Sequence, residues 1–185
     1  VGSAAPTPVT VANQRVGGGN TAALTISNTA AAGAFSEDLN ASFGANGGAA
    51  TNNGATIAGV VAGGNNLGTL SVGVNTTTSG AKTGTVTLNY ETAGAVGGVS
   101  NGLGVASVGS QVVTVNGNVY QAASGALQTA SLNFGTVQVG QSVSQSLVVR
   151  NTATGAAGFV EDLNASFGSA SGTGAGLISG IGSLS

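Results

Sequence analysis

Histidine and cysteine are absent from this 185-residue chain, and only 4% of its residues are charged. Without those two residue types, the usual ligand sets for zinc, copper and haem cannot form. Neither a Ser-His-Asp nor a Cys-His catalytic triad can be assembled. Disulfides are excluded as well, although this says nothing about the cellular compartment. We therefore expect no enzyme activity, no cofactor and no metal site.

Positive charge is especially scarce, with three basic residues against five acidic ones and a net charge of −2. Proteins that bind nucleic acid need a basic surface, so nucleic acid is not expected as a partner. The longest apolar stretch, Gly54 to Gly64, is far shorter than the roughly 20 residues of a transmembrane helix, so we expect no membrane span. A surface with few charges also has little repulsion between copies, which suits assembly.

The chain contains a long-range repeat. Residues Glu37–Gly44 (EDLNASFG) return unchanged as Glu161–Gly168, at an offset of 124 residues (161 − 37). Asn28–Ala30 returns as Asn151–Ala153 at an offset of 123 (151 − 28), so one residue is inserted between the two landmarks. Repetition over this distance predicts a tandem array of domain-sized units.

Apolar and polar residues alternate in a series of short segments, which is typical of half-buried β-strands. About seven such segments lie between residues 9 and 120 and predict an all-β fold, an immunoglobulin-like antiparallel β-sandwich. In the repeated stretch, Leu39, Ala41 and Phe43 share the face that we expect to be buried. The other alternating apolar positions are Val9, Val11, Ala22, Leu24, Ile26, Leu70, Val72, Val74, Val86, Leu88, Tyr90, Val113, Val115 and Val119. Ile57 to Val61 is a further short apolar segment.

Residues rich in glycine and asparagine are expected to connect these strands. A loop with two Asn-Gly turn signals is predicted for 45–54, and a long connection for 93–110. Asn116-Gly117 interrupts the last strand, where we expect a β-bulge, with a tight hairpin as the alternative. Lys82 is expected in a solvated turn.

These patterns divide the chain into a complete repeat at 9–120, a linker at 121–130 and the first half of a second repeat at 131–185. The second repeat has counterparts of the early strands only: Leu132–Phe134, Leu147–Val149 and Leu163–Phe167. We expect strands from outside this chain to complete it, because unpaired strand edges invite pairing. That contact would bury Leu147, Val149, Leu163 and Phe167.

The start of the second repeat resembles a known family. Leu132–Gly140 (LNFGTVQVG), followed by Ser146–Thr152 (SLVVRNT), resembles the opening of the ASH-like and choice-of-anchor D β-sandwich repeats. Those repeats begin with a Phe-Gly strand, a Val-x-Val-Gly turn and a strand ending in Asn-Thr, and Gly84–Leu88 is similar to their penultimate strand. The first repeat departs from the pattern, with Val11-Ala12 where Phe-Gly would stand. The resemblance implies a large secreted or surface protein of bacteria and transfers no catalytic residue.

The acidic pairs Glu37-Asp38 and Glu161-Asp162 suggest calcium at one end of a sandwich, since hard cations bind clustered carboxylates. Adjacent strand residues point to opposite faces, however, so we favour polar residues at the start of a strand. A glycosidase pair would need one of these acids to face Glu91, and a Ser-Lys dyad could use only Lys82; both are less favoured.

Two functions remain. We favour a non-enzymatic structural or adhesive building block of an extracellular bacterial fibre, sheath or surface stalk, which assembles head to tail through β-strand complementation. Its partners would be copies of itself or further repeats of the same polypeptide. The alternative is a secreted adhesin module that binds a glycan or a protein through end loops such as 93–110. Those loops lack the Trp and Tyr residues that favour such contacts.

Overall fold

The chain folds almost entirely into β-strands. A computed structural model describes residues 1–180 and the backbone of 183–184, and within that part the only helical element is a 3₁₀ turn at Ala175–Leu177. The prediction of an all-β protein is confirmed. Two compact units follow one another, Val1–Tyr120 (unit 1) and Gln121–Ser185 (unit 2). Within the described residues, no helix has the length and apolarity to cross a membrane.

Unit 1 contains twelve strands within residues 1–120, more than the sequence pattern suggested. Their bounds are β1 Gly2–Ala5, β2 Val9–Thr10, β3 Gln14–Arg15, β4 Thr21–Asn28, β5 Leu39–Gly48, β6 Ala50–Asn52, β7 Thr56–Val60, β8 Asn65–Val74, β9 Gly80–Thr92, β10 Ala95–Val96, β11 Val99–Ser100 and β12 Ala106–Tyr120.

Most of these strands belong to two sheets. One is antiparallel in the order β1-β4-β8-β6, and the other follows β2-β12-β9-β5-β7, with β3 also on β12. β2 and β3 run parallel to β12, whereas the remaining pairs are antiparallel. The N-terminal segment therefore changes sheets, pairing with β4 before Pro6 and Pro8, both cis, and with β12 after them.

The core of unit 1 draws apolar side chains from both sheets. Nearly all of the predicted inward positions are buried, and burial of each such side chain stabilises the fold by about 1.5–3 kcal/mol. In the repeated stretch Leu39 and Ala41 are buried, whereas Phe43 is only partly buried against the core. The register between β5 and β9 shifts just after Phe43, before Asn46. The alternating pattern thus identified the core-facing side of each strand.

The predicted loop at 45–54 was wrong over most of its length, because strands occupy residues 45–48 and 50–52. β5 continues to Gly48, and after one residue the chain resumes as β6, which pairs in the other sheet. A Cβ on Gly84 would lie 2.3 Å from the backbone nitrogen of Ala50. Glycine is required at this position because two backbones pass each other closely where the chain changes sheets.

Three further expectations need correction. The connection at 93–110 contains the β10–β11 hairpin and the start of β12. Asn116-Gly117 forms neither a bulge nor a hairpin, because β12 keeps its register with β9 through both residues. Gly117 instead provides room for Val74, whose Cγ2 would lie 3.1 Å from an added Cβ. Lys82 lies within β9 rather than in a turn.

Unit 2 has fewer strands. They are β13 Gly125–Leu127, β14 Val149–Asn151, β15 Ala165–Ser166 and β16 Ser183–Leu184, paired as β13–β14 and β15–β16. β13 lies inside the segment that the sequence assigned to a linker. The strand expected at Leu132–Phe134 does not form, and no described strand pairs with this segment, although the side-chain amide of Gln145 donates a hydrogen bond to the carbonyl of Asn133.

Candidate interaction surfaces

Asp38 organises one end of unit 1. The residue is 1% exposed, and its carboxylate accepts hydrogen bonds from the backbone N–H groups of Gly97 (3.0 Å) and Gly98 (2.7 Å). Its own N–H donates to the carbonyl of Ala95 and its carbonyl accepts from the N–H of Ala93, both at 2.8 Å. Asp38 therefore holds the β10–β11 hairpin against the start of β5.

Glu37 is held from three sides. Its carboxylate accepts hydrogen bonds from the Thr92 hydroxyl and from the side-chain amide of Asn101. Because they favour the ionised form, these bonds lower the pKa of Glu37 from its ordinary value, with Thr92 as the larger cause. The Glu37 carbonyl accepts from the side-chain amide of Asn28 (2.9 Å), which is itself buried.

The acidic pair thus binds N–H and O–H donors within the protein. A calcium ion at Glu37-Asp38 would have to displace those donors, and within the described residues no three acidic side chains gather in one place. The pair lies directly before β5, as expected for polar residues at the start of a strand. Its role in the fold is to fix the segment 92–101, a long-range contact that the sequence did not indicate.

Unit 2 repeats part of this arrangement. The side-chain amide of Asn151 donates to the carbonyl of Glu161 (2.9 Å), as Asn28 does to Glu37. Asp162 differs from its counterpart because it is exposed and no described residue donates a hydrogen bond to its carboxylate. The repeated sequence therefore reproduces the local contact, whereas the contacts made by the distant hairpin are confined to unit 1.

The first pair of hydrogen-bonded strands in unit 1, β1 and β4, corresponds to the first pair in unit 2, β13 and β14. Thr29 donates from its N–H (2.9 Å) and its hydroxyl (2.6 Å) to the carbonyl of Val1. Thr152 makes the same two bonds to Ser124, at 2.7 and 3.0 Å. The ladder β13–β14 likewise has the register of β1–β4, displaced by 123 residues. Val1 and Ser124 are therefore equivalent positions in the two units.

The remaining candidate catalytic residues are not brought together. Lys82 donates a hydrogen bond to the Thr78 hydroxyl (2.8 Å) and lines a shallow groove of about 280 Å³ with polar neighbours. Glu91 is exposed on β9, opposite Asn40 in the ladder between β5 and β9. Asp38, a candidate partner for Glu91, is buried and occupied by backbone donors.

A depression of about 860 Å³ lies beside the acidic pair, and we call it the end depression. Its lining includes Phe35, Glu37, Val99, Leu103 and Val108. Phe35 is 97% exposed and Leu103 80%, which is unusual for large apolar side chains around a concave surface. Such patches mark interaction sites. Nothing in the local sequence around Phe35 distinguished it from a core residue.

A second apolar surface lies on unit 2. Leu147, Val149 and Leu163 are only partly buried, and Phe167 is 52% exposed. β14 pairs with β13 on one edge, and no described strand lies on the other edge, whereas β4 of unit 1 is flanked by β1 and β8. Val148 points the opposite way from its neighbours and is exposed.

Comparison with known proteins adds no relative: no family model, no curated protein and no solved structure matches this chain.

Proposed function

We propose that this protein is a non-enzymatic structural building block of an extracellular bacterial fibre, sheath or surface stalk. Its units are immunoglobulin-like β-sandwich repeats, and strands supplied by a neighbouring unit complete unit 2. The resemblance to ASH-like repeats supports the proposed extracellular, bacterial setting. The low charge favours close packing of copies.

The strand orders of unit 1 support the immunoglobulin-like assignment. Such sandwiches place strands A-B-E-D on one sheet and G-F-C on the other. The orders β1-β4-β8-β6 and β12-β9-β5 correspond to these, and the N-terminal segment contributes to both sheets.

The exposed inward face of unit 2 carries the proposal. In unit 1 the corresponding Leu39 is 2% exposed, on β5 between β9 and β7, and β4 is flanked by β1 and β8. In unit 2 the equivalent Leu163 stays partly exposed and the second edge of β14 carries no described strand. Apolar faces and open edges of this kind pair with strands from another chain.

One glycine supports the idea that an incoming strand resembles β9. In unit 1 the ring of Tyr90 packs on Gly2, where an added Cβ would lie 2.3 Å from the ring. Gly125 has the corresponding position in unit 2, and the closest atom to its Cβ position is a methyl of Leu163 at 3.3 Å. A small residue at Gly125 therefore leaves room for an aromatic side chain from a β9-like strand.

Electron microscopy of the purified chain tests the proposal, with one pair of substitutions as a matched comparison. Val149 points towards the open face and Val148 away from it, so Val149→Ser should disrupt filaments and Val148→Ser should not. Loss of about 1.5–3 kcal/mol of apolar burial corresponds to at least a tenfold rise in the concentration needed for assembly. Dispersed wild-type chains at every concentration, or equal effects of the two substitutions, would contradict the proposal.

The end depression favours a second candidate, an adhesin module that binds a glycan or a protein. Its concave shape and the exposed ring of Phe35 are features of binding sites. Screening of the wild type and Phe35→Ser against immobilised glycans separates the two functions, since only an adhesin would lose a captured ligand on this substitution.

A further inference from the structure

We propose that the side-chain amide of Asn101 converts spontaneously to a carboxylate in the folded protein, and that this change breaks the contact between Asn101 and Glu37. The reagent is water, and the products are ammonia and an aspartyl or isoaspartyl residue. The reaction takes place within a single folded chain, so it does not depend on filament assembly.

An asparagine that is followed by glycine is well suited to this reaction. The backbone nitrogen of the glycine loses its proton and attacks the side-chain carbonyl carbon of the asparagine, so that a C–N bond forms and a five-membered succinimide ring closes. The side-chain nitrogen leaves as ammonia, and water then opens the ring at either carbonyl. One amide and one water thus give one carboxylate and one ammonium ion, without oxidation or reduction. Glycine has no side chain to hinder its nitrogen and restricts the backbone least.

The chain contains four Asn-Gly pairs, which begin at Asn46, Asn53, Asn101 and Asn116. Two of them lie within strands. Asn46 and its glycine belong to β5, Asn116 and its glycine belong to β12, and all four residues are in register with β9. Ring closure rotates the backbone around the pair, so it would break hydrogen bonds of the sheet. We therefore expect the fold to protect these two pairs.

Asn53 lies outside the strands, but its side chain is bonded to β8. Its amide donates to the carbonyl of Thr69 (2.9 Å), and its Oδ1 accepts from the N–H of Ser71 (3.4 Å). The N–H of Gly54, which would have to attack, donates to the side chain of Asn52 at 2.8 Å. These bonds hold both the attacked group and the attacking group in place.

Asn101 lies in the connection between β11 and β12, where it is exposed. Gly102 has a φ of 78°, and an added Cβ there would have nothing within 4 Å. The N–H of Gly102 donates to the Ser100 hydroxyl at 3.3 Å, which is long for such a bond and leaves the nitrogen easy to release. The N–H of Leu103 donates to Oδ1 of Asn101 at 3.0 Å. This donor stabilises the negative charge that develops on Oδ1 when the glycine nitrogen attacks.

Conversion replaces an attractive contact with a repulsive one. In the unconverted chain the amide of Asn101 donates to the Glu37 carboxylate. An ionised carboxylate has no donor, and two negative charges at this separation repel each other. The net charge of the chain changes from −2 to −3 (−2 − 1). The loop 101–105 thereby loses its bond to Glu37, whereas the bonds of Asp38 to the β10–β11 hairpin remain.

Peptide mapping by mass spectrometry tests the site in the full chain. Folded protein is incubated at mildly alkaline pH, which favours loss of the backbone proton, beside a sample unfolded in guanidinium chloride. In the unfolded sample the four pairs should convert at similar rates, because glycine follows each asparagine. In the folded sample Asn101 should convert about tenfold faster, or more, than any other pair, since the others must first break hydrogen bonds. Asn101→Gln should abolish this fastest conversion, because its ring closure would need a six-membered ring.

The contact with Glu37 has a separate readout. Asn101→Asp reproduces the aspartyl product, and the carboxyl signal of Glu37 in ¹³C NMR should then titrate at higher pH than in the wild type. The reason is that a negative charge has replaced a hydrogen-bond donor. Asn46→Asp is the matched control, since it adds the same charge towards the other end of β5 and should leave the titration of Glu37 unchanged.

The outcomes decide each part of the inference. Equal conversion of Asn101 and any other pair in the folded chain overturns the site, as does conversion of Asn101 more than about tenfold slower than in guanidinium chloride. An unchanged titration of Glu37 in Asn101→Asp overturns the loss of the contact. Selective conversion of Asn101 together with a raised titration of Glu37 supports the inference, whether or not the chain forms filaments.

Discussion

The two copies of EDLNASFG allow the same substitution to be made in a covered and an uncovered environment. Leu39 is 2% exposed in the core of unit 1, whereas Leu163 of unit 2 is only partly buried. Leu39→Ala removes three buried carbons, a transfer loss of about 2.4 kcal/mol. The cavity left in the core raises the total to about 3–5 kcal/mol. A domain is usually stable by about 5–15 kcal/mol, so unit 1 should be severely weakened.

Tyrosine fluorescence measures this loss selectively. The chain has two tyrosines and no tryptophan, and both Tyr90 and Tyr120 belong to unit 1. Urea unfolding followed by tyrosine emission should therefore show a midpoint lower by about 2 M for Leu39→Ala. Leu163→Ala should leave this transition in place when the chains are dispersed. A similar loss of unfolding free energy for both variants, or a loss below about 1 kcal/mol for Leu39→Ala, would refute this reasoning. Leu39 would then not be more deeply buried in its unit than Leu163 is.

Three further predictions concern side-chain and backbone contacts in unit 1. Hydrogen bonds lower the pKa of Glu37 in the folded state below its ordinary 4.5, so the stability that these bonds give the fold is complete above pH 4.5 and is lost as the pH falls through the lowered pKa. The urea midpoints of the wild type and Glu37→Gln should therefore converge only in that acid range. Burial raises the pKa of Tyr90 to about 12 from 10.0, so stability should fall as the pH rises from about 10 to 12, and Tyr90→Phe should remove this dependence in midpoints measured by circular dichroism. Gly84→Ala should cost more than about 4 kcal/mol because its Cβ would meet the backbone of Ala50, whereas Gly19→Ala, with nothing within 4 Å, should be tolerated in thermal unfolding.

Each of these has a contradicting result. A carboxyl signal of Glu37 that titrates at or above 4.5 in ¹³C NMR would show that its hydrogen bonds do not favour the ionised form. Ultraviolet titration in which the Tyr90 phenol ionises near its ordinary 10.0 would contradict the burial of Tyr90. Equal stability of the Gly84→Ala and Gly19→Ala variants would mean that the close backbone crossing is absent.

The sequence by itself determined which residues face the core and which local contacts recur. Alternation marked Leu24, Leu70 and Val113 as inward positions because successive strand residues point to opposite faces wherever the strand lies. The repeat likewise marked Asn28 and Asn151, whose side chains bond the carbonyl of the residue before the Asp-Leu pair. These features depend on neighbours within about ten residues, so a linear pattern carries them.

Only the tertiary structure decided which strands pair and what the acidic residues bind. Asp38 meets Gly97 and Gly98 about sixty positions away, while its identical copy Asp162 meets no described donor. The passage of β5 into β6, and the unbroken run of β12 through Asn116-Gly117, also depend on partners on distant strands. The alternation of apolar and polar residues shows which face of a strand is buried, but it does not show which strand lies beside it. Hydrogen bonds between strands join residues that are far apart in the chain, and such pairs leave no signal in the local sequence.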